Sequence, residues 1–306
     1  MGHIFDALCA EISMVSVSNA LGRVATVSQG TVRVTGLDTT ARQGDRVLIA
    51  GALGGEVLTL APEGVTVLTE GPPEGLAMGA EVELLGATGL APDNSWIGRI
   101  VDPYGRPMDG KPLFRGAISR PLRAAAPPAA DRRRLGERLS TSVAIFDTLL
   151  PLVRGQRIGL FAGSGVGKSS LLAKFARGVD ADVVVIALVG ERGRELREFV
   201  ERVLGPEGMK RSVLVTATSD QSALARRRCA MAAMTVAEHF RAQGLHVLYL
   251  ADSITRFAEA HREVALAAGE TAALKGYPPS VAQAIMSLAE RAGPGPEGEG
   301  DITAVF

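Results

Sequence analysis

This chain has little cysteine, little aromatic content and no net charge. Cys9 and Cys229 are its two cysteines, too few for a disulfide framework, which points to a reducing compartment. Lys plus Arg and Asp plus Glu stand at 33 each, so charge makes no case for a nucleic-acid or membrane partner. Aromatic residues at 4% leave few platforms for stacked RNA bases and count further against a nucleic-acid translocase. No apolar run approaches the roughly 20 residues that cross a bilayer; the longest are short pieces such as Val183 to Val189. The opening M-G-H-I-F-D-A-L-C-A-E has no basic start and sets Asp6 and Glu11 among its apolar residues, which argues against a cleaved signal and fits a short amphipathic helix. Membrane association would come through partners or that helix. The four histidines, His3, His239, His246 and His261, show no metal-ligand spacing and read as surface or helix positions.

What is present is a globular chain of 306 residues, 46% hydrophobic, long enough for two cores. From Gly22 to Leu85 short Val-, Leu- and Thr-rich runs alternate with glycine turns such as Gly30, Gly36, Gly44 and Gly64. That rhythm favours a small closed barrel over an open sheet or sandwich. The segment Ile97 to Lys111 follows with two Gly/Pro turns, and Arg123 to Arg134 is Ala/Pro-rich and then basic, an exposed connector whose Arg132 to Arg134 run reads as solvated.

The most informative stretch is R-I-G-L-F-A-G-S-G-V-G-K-S-S-L-L, Arg157 to Leu172. Ile158 to Phe161 reads as a buried parallel strand, and the glycine-rich loop after it leads into a helix. Ala162, Gly163, Ser164, Gly165, Val166 and Gly167 would turn backbone N–H groups toward a phosphate, with the helix adding its positive end. Lys168 would reach the β- and γ-phosphates, Ser169 would take one position on Mg²⁺, and Ser170 would complete the loop's lip. Ala162 stands where the strict pattern asks for glycine, and Gly163 can supply the turn instead.

After this loop, strands and helices alternate: Val183 to Val189 then a helix to Leu204, Val213 to Thr216 then a helix to Gln243, His246 to Ala251 then a helix to Ala268. Such alternation builds a parallel sheet covered by helices, with chemistry at the carboxyl ends of its strands. Two acids fall there. Glu191, in V-G-E-R-G-R-E, could orient water for attack on a phosphate, with Arg192 and Arg194 balancing charge, or could be a helix-start acid complementing the macrodipole. Asp252, at the tip of H-V-L-Y-L-A-D-S, has the form of a Walker B aspartate holding Mg²⁺ through water, with helix capping as the competing role. Met231 and Met234 read as packing.

Taken together, G-R-I-V-D-P-Y-G-R-P-M-D-G-K, the phosphate loop, V-G-E-R-G-R-E-L-R-E-F-V, A-T-S-D-Q-S-A-L, L-A-D-S-I-T-R-F-A-E-A-H-R-E-V and K-G-Y-P-P-S-V resemble the type III protein-export ATPases, relatives of the F-type and V-type catalytic subunits. A-G-S-G-V-G-K-S fits the export branch, and G-P-E-G at 205–208 with Tyr277 resembles its flagellar members. The resemblance implies an N-terminal helical segment (1–21), a β-barrel (22–90), a connector (91–138) and a RecA-like P-loop NTPase core (139–306). It implies Mg-dependent ATP hydrolysis that powers flagellar protein export from the cytoplasmic side of the inner membrane, or export through an injectisome. It also implies a ring of six subunits, with stalk and regulator proteins and chaperone–substrate complexes as partners. It gives Lys168 the phosphate role, Ser169 the Mg²⁺ role, Glu191 the water-activating role, Asp252 the Walker B role, Arg192 a phosphate contact and Arg256 support from behind the site. Ala282 to Arg291 departs from the family's usual form. Family members continue past the equivalent of D-I-T-A-V-F into an arginine finger and a helical domain, so the expectation is a truncated chain, with an assembly module that binds ATP without turnover as the alternative.

Overall fold

A computed structural model describes residue 12 and residues 18–306, apart from 88, 164 and 165. The expected N-terminal helix falls outside the described residues.

Six strands form the first unit: β1 (Leu21–Val27), β2 (Thr31–Thr35), β3 (Arg46–Ile49), β4 (Leu53–Ala61), β5 (Gly64–Thr69) and β6 (Glu81–Gly86). They close antiparallel in the order β1-β2-β5-β4-β3-β6, with β6 returning to β1. Alternation in β2 and β3 supplies much of the interior. In β2 the buried side chains are Val32 and Val34, in β3 Val47 and Ile49, and these join Val24, Val57, Val65, Val67 and Val82 in one interior. Gly55 is required where β4 crosses the barrel, since a Cβ there would sit 2.6 Å from Val67 and 2.9 Å from the Leu68 carbonyl.

The second unit is a sheet in the order β12-β13-β11-β9-β10-β7, built from β7 (Ile100–Val101), β9 (Val183–Glu191), β10 (Ser212–Thr218), β11 (His246–Asp252), β12 (Gly293–Pro294) and β13 (Asp301–Val305), with β8 (Arg157–Ile158) beside β13. All pairings are parallel except that of β12. Here burial is continuous rather than alternating, because helices cover both faces. Val183, Val185, Val213, Val247 and Tyr249 face α5 (Ala223–Arg241), α6 (Ile254–Ala267) and α7 (Ser280–Arg291). Val184, Ile186, Leu214, Leu248 and Leu250 face α2 (Lys168–Gly178) and the turn at Phe199 to Leu204. Three short helices complete the set: α1 (Ala144–Thr148), α3 (Gly193–Glu198) and α4 (Gly205–Met209).

Several details differ from the sequence expectation. The strand before the phosphate loop spans Arg157–Ile158 rather than reaching Phe161. The Phe161 side chain is 87% exposed and its ring folds back over Gly159, where a Cβ would meet it at 2.5 Å. The helix expected up to Leu204 is α-helical only through Glu198 and then widens into a π turn. Residues 100–101, within the segment read as a connector, add an edge strand to the core sheet beside β10, and Trp96 and Leu122 pack into the core. Arg132 is half-buried and pairs with Glu290 at 2.9 Å, whereas Arg133 and Arg134 are exposed as expected, Arg133 also pairing with Asp301 at 2.7 Å. His246 is a buried strand residue bonded to Thr303 at 2.8 Å, not a surface or helix position.

Candidate nucleotide-binding site

The sheet topology puts the ends of β8, β11 and β9 near one another, and the candidate residues ride on those ends. β8 pairs with β13 at Ala304 and Val305, and the ladder runs on as the Leu160 N–H donates to the Phe306 carbonyl at 2.7 Å. The loop begins there. Ala162 and Gly163 are exposed, and a Cβ on Gly163 would meet nothing within 4 Å. Ser164 and Gly165 lie outside the described residues. Val166 is 68% exposed, and Gly167 closes the turn at φ 92°, a left-handed conformation that favours glycine. Lys168 then opens α2, whose N-cap Gly167 gives no side-chain hydrogen bond to the first-turn N–H groups.

Two of the expected residues converge on the carboxylate of a third, Asp252. Lys168 Nζ lies 2.7 Å from Asp252 Oδ1, and Ser169 Oγ donates to Asp252 Oδ2 at 3.1 Å. Asp252 is 3% exposed. Helix capping, its competing role, falls instead to Ser253, whose side chain accepts from the Arg256 N–H at the start of α6. Ser170 is exposed on the outer side of the same turn.

Glu191 ends β9, the strand next to β11 in the sheet, and precedes the N-cap of α3. The acid in that helix's first turn is Glu195, not Glu191. Glu191, Glu195, Ser169 and Asp252 line one hollow of about 220 Å³ together with Leu188 and Phe199. Burial, a hydrogen bond shared with Glu195 and the nearby Asp252 charge push the Glu191 carboxyl up to about 7, with Arg256 opposing them. The same hydrogen bond holds Glu195 below the usual carboxylate range. Glu195 is the residue that the sequence reading missed. Its position four residues after Glu191 in V-G-E-R-G-R-E is the signal that could have found it.

The two arginines stand further out. Arg192 is 67% exposed and faces Glu195 at 3.1 Å. Arg256 lays its stem over Gly190 and pairs with Glu259 at 3.2 Å. A second hollow, of about 70 Å³, lies on the far side of Lys168 between Ala162, Thr255 and Phe306.

The donor chemistry suits a hard divalent cation bound mainly through phosphate and water. Among the described residues no group of three or more His, Cys, Asp or Glu could cage a metal, but the Ser169 hydroxyl and Asp252 carboxylate present adjacent oxygen atoms. Mg²⁺ typically takes one or two protein oxygens and keeps the rest of its shell as water and phosphate.

The nucleotide-binding domain of the ATP synthase alpha/beta family matches residues 142–306. The chain belongs to that family. Within the family it is 46% identical to the flagellum-specific ATP synthase of Agrobacterium fabrum over 93% of this chain and 61% of that protein. It is 44% identical to the flagellum-specific ATP synthase of Caulobacter vibrioides over 95% of this chain and 67% of the relative. It is also 45% identical to a type 3 secretion system ATPase of Sinorhizobium fredii, over 83% of this chain and 56% of that protein. The assembled ATPase EscN of the enteropathogenic E. coli type III secretion system superposes with a TM-score of 0.84 at 37% identity, across 93% of this chain and 69% of EscN. A second structure shows EscN in complex with its central stalk EscO. The fold is therefore that of the flagellar and type III export ATPases, a barrel followed by a parallel-sheet nucleotide-binding domain. The chain spans about three fifths of the length of the flagellum-specific ATP synthases of Agrobacterium fabrum and Rhizobium meliloti. Among the described residues no helix is long and apolar enough to cross a membrane.

Proposed function

We propose that this chain binds Mg-ATP at the Ala162–Ser170 loop and hydrolyses it to ADP and phosphate. The observation that carries this reading is the convergence of Lys168 and Ser169 on the buried Asp252 carboxylate, beside a Glu191 carboxyl tuned to about 7. In this reading Lys168 holds the β- and γ-phosphates, and the loop N–H groups with the α2 terminus cradle them. Ser169 and, through water, Asp252 hold Mg²⁺, which supplies charge neutralisation at the phosphates. Glu191 is the base that orients the attacking water, and a pKa near 7 lets it accept a proton at neutral pH. Arg192 contacts phosphate once it leaves Glu195, and Arg256 steadies Glu191 from across Gly190.

Hydrolysis in this proposal drives protein export in a flagellar system, with the chain working as a ring at the cytoplasmic face of the membrane. Its partners there are a stalk, a regulator and chaperone–substrate complexes. The match to flagellum-specific relatives supports the flagellar assignment, as do the G-P-E-G turn at 205–208 and Tyr277. The type 3 secretion relatives support an injectisome as the second reading. Whether the neighbouring genes encode flagellar or needle components decides between the two.

The test is steady-state phosphate release by the 306-residue chain, beside Glu191→Ala, with nucleotide binding measured in the same samples. Release that disappears in Glu191→Ala while binding persists is the expected result. Binding without release by the parent chain would overturn the hydrolase reading and favour an assembly module. Absence of binding would overturn the loop assignment.

A further inference from the structure

A second cavity, of about 570 Å³, lies between barrel and core, and nothing in the nucleotide site uses it. Strand β4 forms one wall through Glu56 and Leu58, and helices α5, α6 and α7 form the other. Its size falls within the range of small-molecule sites, which pair an apolar lining with a few placed polar groups. Leu58, Met231, Phe257 and Val264 supply the apolar lining.

The polar groups are out of balance. Arg227 and Arg123 both bond the same oxygen, Glu56 Oε1, at 2.7 and 3.2 Å. Arg227 is 5% exposed, its Nε meets no acceptor among the described residues, and Glu56 is the one acceptor its guanidinium reaches among them. Two guanidiniums thus share one carboxylate, and the buried one retains unused donors. A buried charge with incomplete pairing is costly, and a second anion would relieve it. The His261 imidazole in the same wall is pushed down to about 4 by burial and then by Arg227 and Arg123, in keeping with a surplus of positive potential. The other acid on the wall, Glu270, sits toward solvent and is engaged by the Ser280 N–H and hydroxyl, at 3.0 and 2.5 Å. The Ser280 hydroxyl donates to Glu270 and lies 3.1 Å from His261 Nε2, so the carboxylate engages the serine rather than the imidazole, unlike a hydrolytic Ser–His–Glu arrangement.

We propose that this cavity binds a small organic carboxylate with an apolar body, the carboxylate on Arg227 and Arg123 and the body against Met231, Phe257 and Val264. A guanidinium fork matches a carboxylate in two parallel hydrogen bonds. A ligand there touches the barrel and three core helices at once, so it would clamp the two units together.

The probe for the test is 2-naphthoate, titrated into the full chain by calorimetry with and without saturating Mg-ATP. The expected result is one saturable site that persists with ATP, with the neutral 2-naphthamide binding at least tenfold more weakly. Arg123→Gln, at a half-exposed position, should weaken naphthoate at least tenfold, and Ala268→Phe, which fills the cavity from its rim, should abolish binding. If Ala268→Phe fails to fold, the acid–amide comparison and Arg123→Gln still decide. Equal affinity for acid and amide, insensitivity to Arg123→Gln, displacement of naphthoate by ATP, or no saturable binding would each overturn the proposal.

Discussion

The barrel and the core solve burial in opposite ways. In barrel strands such as β2 every second residue is buried, so Val32 and Val34 point inward while Thr31, Arg33 and Thr35 face outward or sit half-covered. In the core β9, β10 and β11 are buried along almost their whole length, since helices cover both faces. A barrel strand has one sensitive face; a core strand has two, and only the core strands end in chemistry. Substitutions should therefore separate the two units by the size and the kind of their effects.

The largest effect is expected at a strand tip. Glu191→Gln should lower turnover by about 10²–10⁴, the usual contribution of a general base, with nucleotide affinity retained. Its stability should move the other way. The folded-state pKa of Glu191 is raised from 4.5 to about 7, so its contribution to stability is complete below about 4.5 and is lost as pH rises through about 7. Gln escapes that loss, and thermal melting should show the variant more stable than its parent at pH 8 and equal at pH 4.5.

Within the core, Leu250→Ala should cost about 2–5 kcal/mol in urea unfolding, because the residue is fully buried and leaves a cavity. The half-covered barrel position Thr66→Ala should cost under about 1 kcal/mol. A similar cost at the two sites would break the comparison. Between the units, Glu56→Gln leaves the buried Arg227 without its counter-charge and should cost about 3 kcal/mol. A single unfolding transition that splits into two would sharpen the contrast by showing barrel and core melting apart.

The smallest effect concerns His261. Its pKa falls from 6.5 to about 4 in the folded chain, so its contribution is complete above about 6.5 and is lost as pH falls toward 4. His261→Gln should flatten that part of the stability profile.

The fold class was legible because both burial regimes leave local patterns: alternation with glycine turns in the barrel, and apolar runs between helices in the core. Lys168, Ser169 and Asp252 were legible for the same reason, each lying at a strand-to-helix junction. What escaped depends on partners distant in sequence. The ion pairs of Arg132 and Arg133 are invisible locally because Glu290 and Asp301 arrive from the far end of the chain. Ile100 and Val101 make too short a strand to be seen without β10. Phe161 looks like the end of a buried strand, and only the turn over Gly159 moves it into solvent. Glu195 escaped because its effect on Glu191 is a shared proton, which residue type alone does not reveal.

The contact between Lys168 and Asp252 bears on which ligands the loop can hold. The ammonium has three donors, so under the proposed function a phosphate on Lys168 would share the lysine with the acid. That sharing would set fresh negative charge beside a carboxylate at 3% exposure, a repulsion that a cation arriving with the phosphate would offset. On the proposed reading such a site would favour paired arrivals, because a bare anion meets a repulsion that a metal-bound polyphosphate does not.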